Sequence, residues 1–81
     1  MNNQNEFKVL LETVEKIKKF INIVNKYDED IDIFKGRYTV DAKSVIGIFT
    51  LDLTEAVKVV FFSDNSNRIN KFRNDIKDFL I

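Results

Sequence analysis

Neither cysteine nor histidine occurs among the 81 residues of this sequence. No disulfide and no ordinary protein zinc site can hold so short a chain together, so its fold must rest on apolar burial alone. A chain of this size hides only about 60% of the surface that its unfolded form exposes. The apolar residues therefore have to be dense. They are: Ile, Val, Leu and Phe supply 31 of the 81 positions. The length allows a single domain over 1–81. At usual per-residue values its stability is about 4–12 kcal/mol.

The same absences remove whole classes of function. Without His or Cys there is no Ser-His-Asp triad, no Cys-His pair and no phosphohistidine. Asp, Glu, Lys and Ser form no recognisable catalytic arrangement, so no enzyme, catalytic residue or cofactor is expected. Thirteen basic and thirteen acidic side chains cancel. That balance argues against a nucleic-acid binder, which needs a basic excess or stripe. No apolar run approaches the roughly 18 residues of a membrane span. Met1 to Glu6 lack the basic and apolar regions of a signal peptide, and residues 1–5 are expected to fray. Absent Cys fits a cytoplasmic protein.

Periodicity orders the rest. Phe7 to Leu10 reads as a short strand with Phe7 and Val9 on one face. Residues 13–26 place Val14, Ile17, Phe20, Ile21 and Val24 on one helical stripe, with Thr13 as cap. Lys16, Lys18 and Lys19 are offset by Glu12 and Glu15, the pattern of a solvated helix face. Ile31 to Ile33 and Tyr38 to Ala42 alternate around Lys35-Gly36, which predicts an antiparallel hairpin of undetermined turn type. Val45 to Leu51 is almost wholly apolar. Its β-branched residues favour a strand, while Ser44 before it favours a helix start. Ala56 to Phe62 is a strand with Phe61 and Phe62 on opposite faces. Ile69, Phe72, Ile76, Phe79 and Leu80 share one face of a last helix. Each long helix has one stripe, so the simplest arrangement is α+β, a four-stranded antiparallel sheet with helices on one face. Asp32, Thr39, Asp41 and Lys58 suit the other, open face.

Asn25-Lys26-Tyr27-Asp28, and then Asp41 through Leu51 with Lys43-Ser44-Val45-Ile46-Gly47 at its centre, resemble HPr. HPr is the histidine-containing phosphocarrier family of the bacterial sugar phosphotransferase system. The resemblance implies an open-faced sandwich in the order βαββαβα, and it turns the ambiguous piece into a short helix. It also exposes a departure. The family presents its phosphoryl-accepting His, closely followed by Arg and Pro, after the first strand. Val9-Leu10-Leu11-Glu12-Thr13-Val14-Glu15 contains none of these. The resemblance thus implies a regulatory or adaptor protein without the carrier step.

Two features follow from it. Ser44 matches the family's regulatory phosphorylation site, although a helix cap alone accounts for a Ser there. Ile46 and Phe49 match an apolar partner surface, with Lys43 beside them. Ile23, about 180° around the first helix from Val14, and Phe20 at the stripe edge could extend that patch. A protein partner is expected, such as an HPr kinase or another phosphotransferase-system or regulatory protein, on a monomer or weak homodimer. The alternatives are a self-associating structural module, through the open sheet face or Ile23 with Phe20, and a small-ligand regulatory domain. Asp28, Asp30 and Asp32 alternate, but they lack the Gly and closing Glu of a calcium loop, so no metal is expected.

Overall fold

The computed structural model describes residues 5–81. Strands β1 (Glu6–Val9), β2 (Ile31–Lys35), β3 (Tyr38–Asp41) and β4 (Val57–Phe61) form one antiparallel sheet in the order β1-β4-β2-β3. Helices α1 (Val14–Val24), α2 (Val45–Phe49) and α3 (Ser66–Asp75) complete the βαββαβα order. This is the α+β open-faced sandwich that pattern and resemblance imply. The helical state of Val45–Phe49 follows the resemblance and not the β propensity of its residues.

Alternation builds the core. Phe7 and Val9, Ile31 and Ile33, and Val57, Val59 and Phe61 all point to one face and are buried there. Ile17, Phe20, Ile21 and Val24 of α1 and Ile69 and Phe72 of α3 close over them. Among the described residues no charged side chain is buried. Phe61 and Phe72 stack with centroids 4.6 Å apart, and Tyr27 meets both edge-on at 5.4 and 5.3 Å. Phe7 meets Phe72 edge-on at 5.5 Å, so four aromatic rings join β1, β4, α3 and the α1–β2 loop.

The hairpin between β2 and β3 turns at Gly36, whose φ of +58° is open to glycine at no steric cost. Arg37 keeps a negative φ, since no non-Gly residue has a positive one, which fits a type II′ turn led by its Gly.

Several sequence expectations shift. Val14, the first residue of α1, is 57% exposed and not part of the buried stripe. Leu11, which lies between the first strand and the helix and to which periodicity gives no core role, is fully buried. The last helix stops at Asp75 and does not run on to Leu80. The chain then makes a 3-10 turn at Lys77–Phe79, and its end joins the free edge of β1. Leu10 N–H donates to the Phe79 carbonyl at 3.0 Å, Ile81 N–H donates to the Lys8 carbonyl at 3.1 Å, and Val9 bridges Leu80. Covering an edge strand satisfies backbone groups that a longer helix would leave open. Asn5, expected to fray, is tied down, since its carbonyl accepts from Phe61 N–H at 3.0 Å. The rest of that expectation, residues 1–4, lies outside the described residues.

Phe72→Ala removes the ring common to these contacts and is expected to cost about 3–5 kcal/mol, much of the whole stability. Val14→Ser is expected to stay within about 0.5 kcal/mol of wild type. Urea denaturation of the two variants checks both. Equal midpoints would mean that the aromatic contacts do not carry the core.

Candidate functional site

The segment leaving β3 is fixed before α2 begins. Ala42 is buried, and its N–H donates to the Ile31 carbonyl at 2.8 Å. The Asp41 carboxylate accepts from Lys43 N–H at 2.9 Å, and the Asp41 carbonyl accepts from Ser44 N–H at 2.9 Å. Ser44 is extended, with φ −95° and ψ 104°, and its hydroxyl accepts from Gly47 N–H at 3.1 Å. That is an N-cap. Gly47 has a packing reason to be Gly, because a Cβ there would lie 3.3 Å from Val40 Cβ on β3.

A helix of five residues makes about 1.4 turns and cannot bury every side. Ile48 alone turns inward. Val45, Ile46 and Phe49 face out, with Ile46 81% and Phe49 51% exposed. Among the described residues seven large apolar side chains are exposed, and α2 carries three of them. That clustering beside an exposed Ser44 makes α2 the candidate site.

Lys43 does not join this surface. Its ammonium turns back and donates to the carbonyls of Tyr27 at 2.6 Å and Glu29 at 2.9 Å. The expectation that it belongs to the apolar patch is corrected: it clamps the α1–β2 loop to the Ser44 segment. The loop is held from its other side by α3. The Tyr27 hydroxyl donates to Asp75 at 2.5 Å, and Arg68 forms a two-pronged pair with Glu29 at 2.8 and 3.0 Å. Hydrogen bonding to the Arg68 guanidinium holds the Glu29 carboxyl down at about 2, against the burial that opposes it. Burial, and then the Asp75 carboxylate, push the Tyr27 hydroxyl up.

The proposed extension of the patch fails on burial. Phe20 is 0% exposed and meets Phe79 edge-on at 5.7 Å, so it is core. Ile23 is half-buried and packed against the core. For Phe20 the cause is the C-terminal segment, whose Phe79 ring closes over it. Periodicity gave no sign of Val45 as a surface residue; the shortness of α2 was the available signal.

The stretch Val9 to Glu15, where the resemblance would place an imidazole, is filled differently. Leu11 is buried, Thr13 Oγ1 accepts from Lys16 N–H at 3.1 Å, and Glu12 pairs with Lys16. Among the described residues no cluster of acidic, His or Cys side chains could hold a metal ion. Beyond α2, Thr50 to Asp52 and the β2–β3 turn enclose a groove of about 670 Å³ beside Lys35 and Arg37. Glu55 already holds the Lys35 ammonium at 2.7 Å. No helix of the described residues is long and apolar enough to cross a membrane.

No family model matches the chain, and no curated protein sequence matches it. Solved structures do. HPr-C-His from Thermoanaerobacter tengcongensis superposes with a TM-score of 0.71 at 21% identity, covering 90% of each chain. The phosphocarrier protein HPr from Bacillus anthracis str. Ames gives 0.62 at 19% identity, covering 82% of this chain and 87% of that one. The chain therefore has the fold of HPr phosphocarriers.

The clamp makes a pH prediction. Free Glu titrates near ~4.3, so the unfolded chain takes up the proton at a higher pH than the folded one. The Glu29–Arg68 contribution to stability is thus complete above about pH 5 and is lost as pH falls towards the folded value of about 2. The urea midpoint of wild type should exceed that of Glu29→Gln by a margin that shrinks across this interval. A margin that stays constant down to pH 2 would refute the pairing.

Proposed function

We propose that this chain is an HPr-like protein, related to the sugar phosphotransferase system, that performs no histidine phosphocarrier step. It acts as a non-enzymatic, cytoplasmic regulatory or adaptor protein and docks a protein partner through α2 around Ser44. The observation that carries this reading is the exposure of Val45, Ile46 and Phe49 next to Ser44, on a fold that superposes on HPr. The loss of the carrier step is supported by the sequence, which has no imidazole to accept a phosphoryl group. Labelled phosphoenolpyruvate with enzyme I is expected to leave the chain unlabelled.

Ser44 is the regulatory residue. Its hydroxyl is exposed, and the Lys43 clamp and the Asp41 hydrogen bonds hold its backbone in place for a kinase. A phosphate there would place up to two negative charges beside the apolar side chains of α2. Docking of an apolar partner surface would weaken, and a basic one would be favoured. An HPr kinase with ATP is expected to add one phosphate to wild type and none to Ser44→Ala.

Ile46→Asp and Phe49→Asp test the surface itself. Both positions are exposed, so stability should move by no more than about 0.5 kcal/mol. Affinity for an HPr kinase or a phosphotransferase-system protein that binds wild type should drop about tenfold or more. Unchanged affinity with intact folding would reject α2 as the interface.

A further inference from the structure

The open face of the sheet carries an ordered charge pattern that is independent of α2. Register places Glu6, Val60, Asp32 and Asp41 in one row across the four strands. The next row is Lys8, Lys58, Phe34 and Thr39. All eight side chains point away from the helices, since their alternate neighbours form the core. Three carboxylates thus lie in one row and two ammonium groups in the next.

Within one chain this arrangement is unfavourable. Asp32 stands directly opposite Asp41, and Lys8 directly opposite Lys58. Like charges at directly opposed positions destabilise a sheet. Among the described residues none of these five charges belongs to an ion pair, and the Lys58 ammonium lies over the Phe34 ring at 5.0 Å instead. Burial, and then Asp41 and Asp30, push the Asp32 carboxyl up, as expected of a crowded acidic row.

We infer that this face is the contact surface for a second copy of the chain, stacked sheet to sheet with the acidic row of each copy over the basic row of the other. The symmetry selects the partner. A two-fold axis between the sheets, running along the rows, exchanges the rows and leaves each strand over its own counterpart. Lys8 of the second copy then lies over Glu6. Lys58 of the second copy lies over Val60, flanked by Glu6 and Asp32, while Phe34 lies over Asp32 and Thr39 over Asp41, so the charge contact is centred on β1 and β4. Every contact occurs twice, as a two-fold interface requires. An axis along the strands would place acid over acid and is excluded by the same charges. Sheets pack about 10 Å apart, a distance that long Lys and Glu side chains span.

The area sets the strength. Four strands at about 4.8 Å and five residues at about 3.4 Å outline roughly 320 Å². A stable interface needs about 800 Å² per partner, so this dimer is weak, transient and held by charge.

Analytical ultracentrifugation of the full chain tests it. At about 0.5 mM chain and about 20 mM salt the weight-average mass should rise clearly above the monomer, and about 0.5 M salt should return it there. The monomer mass is 9.5 kDa. Lys8→Glu with Lys58→Glu should be monomeric alone, and so should Glu6→Lys. Mixed at low salt, the two should associate with each other. All three positions are exposed, and circular dichroism checks folding. If a charge-reversed chain fails to fold, Lys8→Gln with Lys58→Gln should show the same loss of self-association. Ile46→Asp should leave the dimer intact, which separates it from any contact through α2. A wild type that stays monomeric at low salt, a dimer indifferent to these Lys substitutions, or a mixture of folded opposites that does not associate would each overturn the inference.

Discussion

Everything in this fold depends on one aromatic contact, the stack of Phe72 on Phe61 with Tyr27 set edge-on against both. With no disulfide or metal cluster among the described residues, α3 is held to the sheet by these rings, by Arg73 over the Phe7 ring at 5.4 Å, and by its polar bonds to the α1–β2 loop. Aromatic pairs contribute about 0.5–1.5 kcal/mol each beyond the area they bury. Tyr27 makes the contact matter beyond stability. Its ring belongs to the core, its hydroxyl is bound to Asp75, and its carbonyl holds the Lys43 ammonium. Packing in the interior therefore fixes the position of the residue next to Ser44. The candidate site is an outer consequence of an inner contact.

Much of this architecture was legible because β-strands write their faces into alternation. Ile31, Ile33, Val57, Val59 and Phe61 followed that rule, and so did the open-face placement of Asp32, Thr39, Asp41 and Lys58. Two kinds of feature were not legible. The first is α2, where nearly every residue is apolar and three are exposed. Periodicity has nothing to report in such a segment, and propensity favoured the wrong state. Only resemblance to a known family made it a helix. The second is the group of residues whose burial depends on the chain end. Phe20 was legible as a member of the apolar stripe of α1, but the ring that covers it was not. Phe79 covers it from the 3-10 turn, a long-range event that no local window contains. The same blindness put Lys43 in the patch, because the carbonyls that capture it lie in a loop 14 and 16 residues away.

The two surfaces left for function lie on opposite sides of the sheet, since α2 is packed on the helix side against Val40 and Gly47 marks its closest approach. They differ in physical character as well as place. The α2 surface is apolar, with Ile46 and Phe49 at its centre, so contact there would change little with ionic strength. The open face is charged in rows and small in area, so contact there would fall steeply as salt rises. Phosphate on Ser44 would charge the apolar α2 surface, and it would also stand beside the end of the acidic row, since the Asp41 carbonyl accepts from Ser44 N–H at 2.9 Å. The apolar surface and the charged face thus differ in chemistry, yet they meet at the Asp41–Ser44 hydrogen bond.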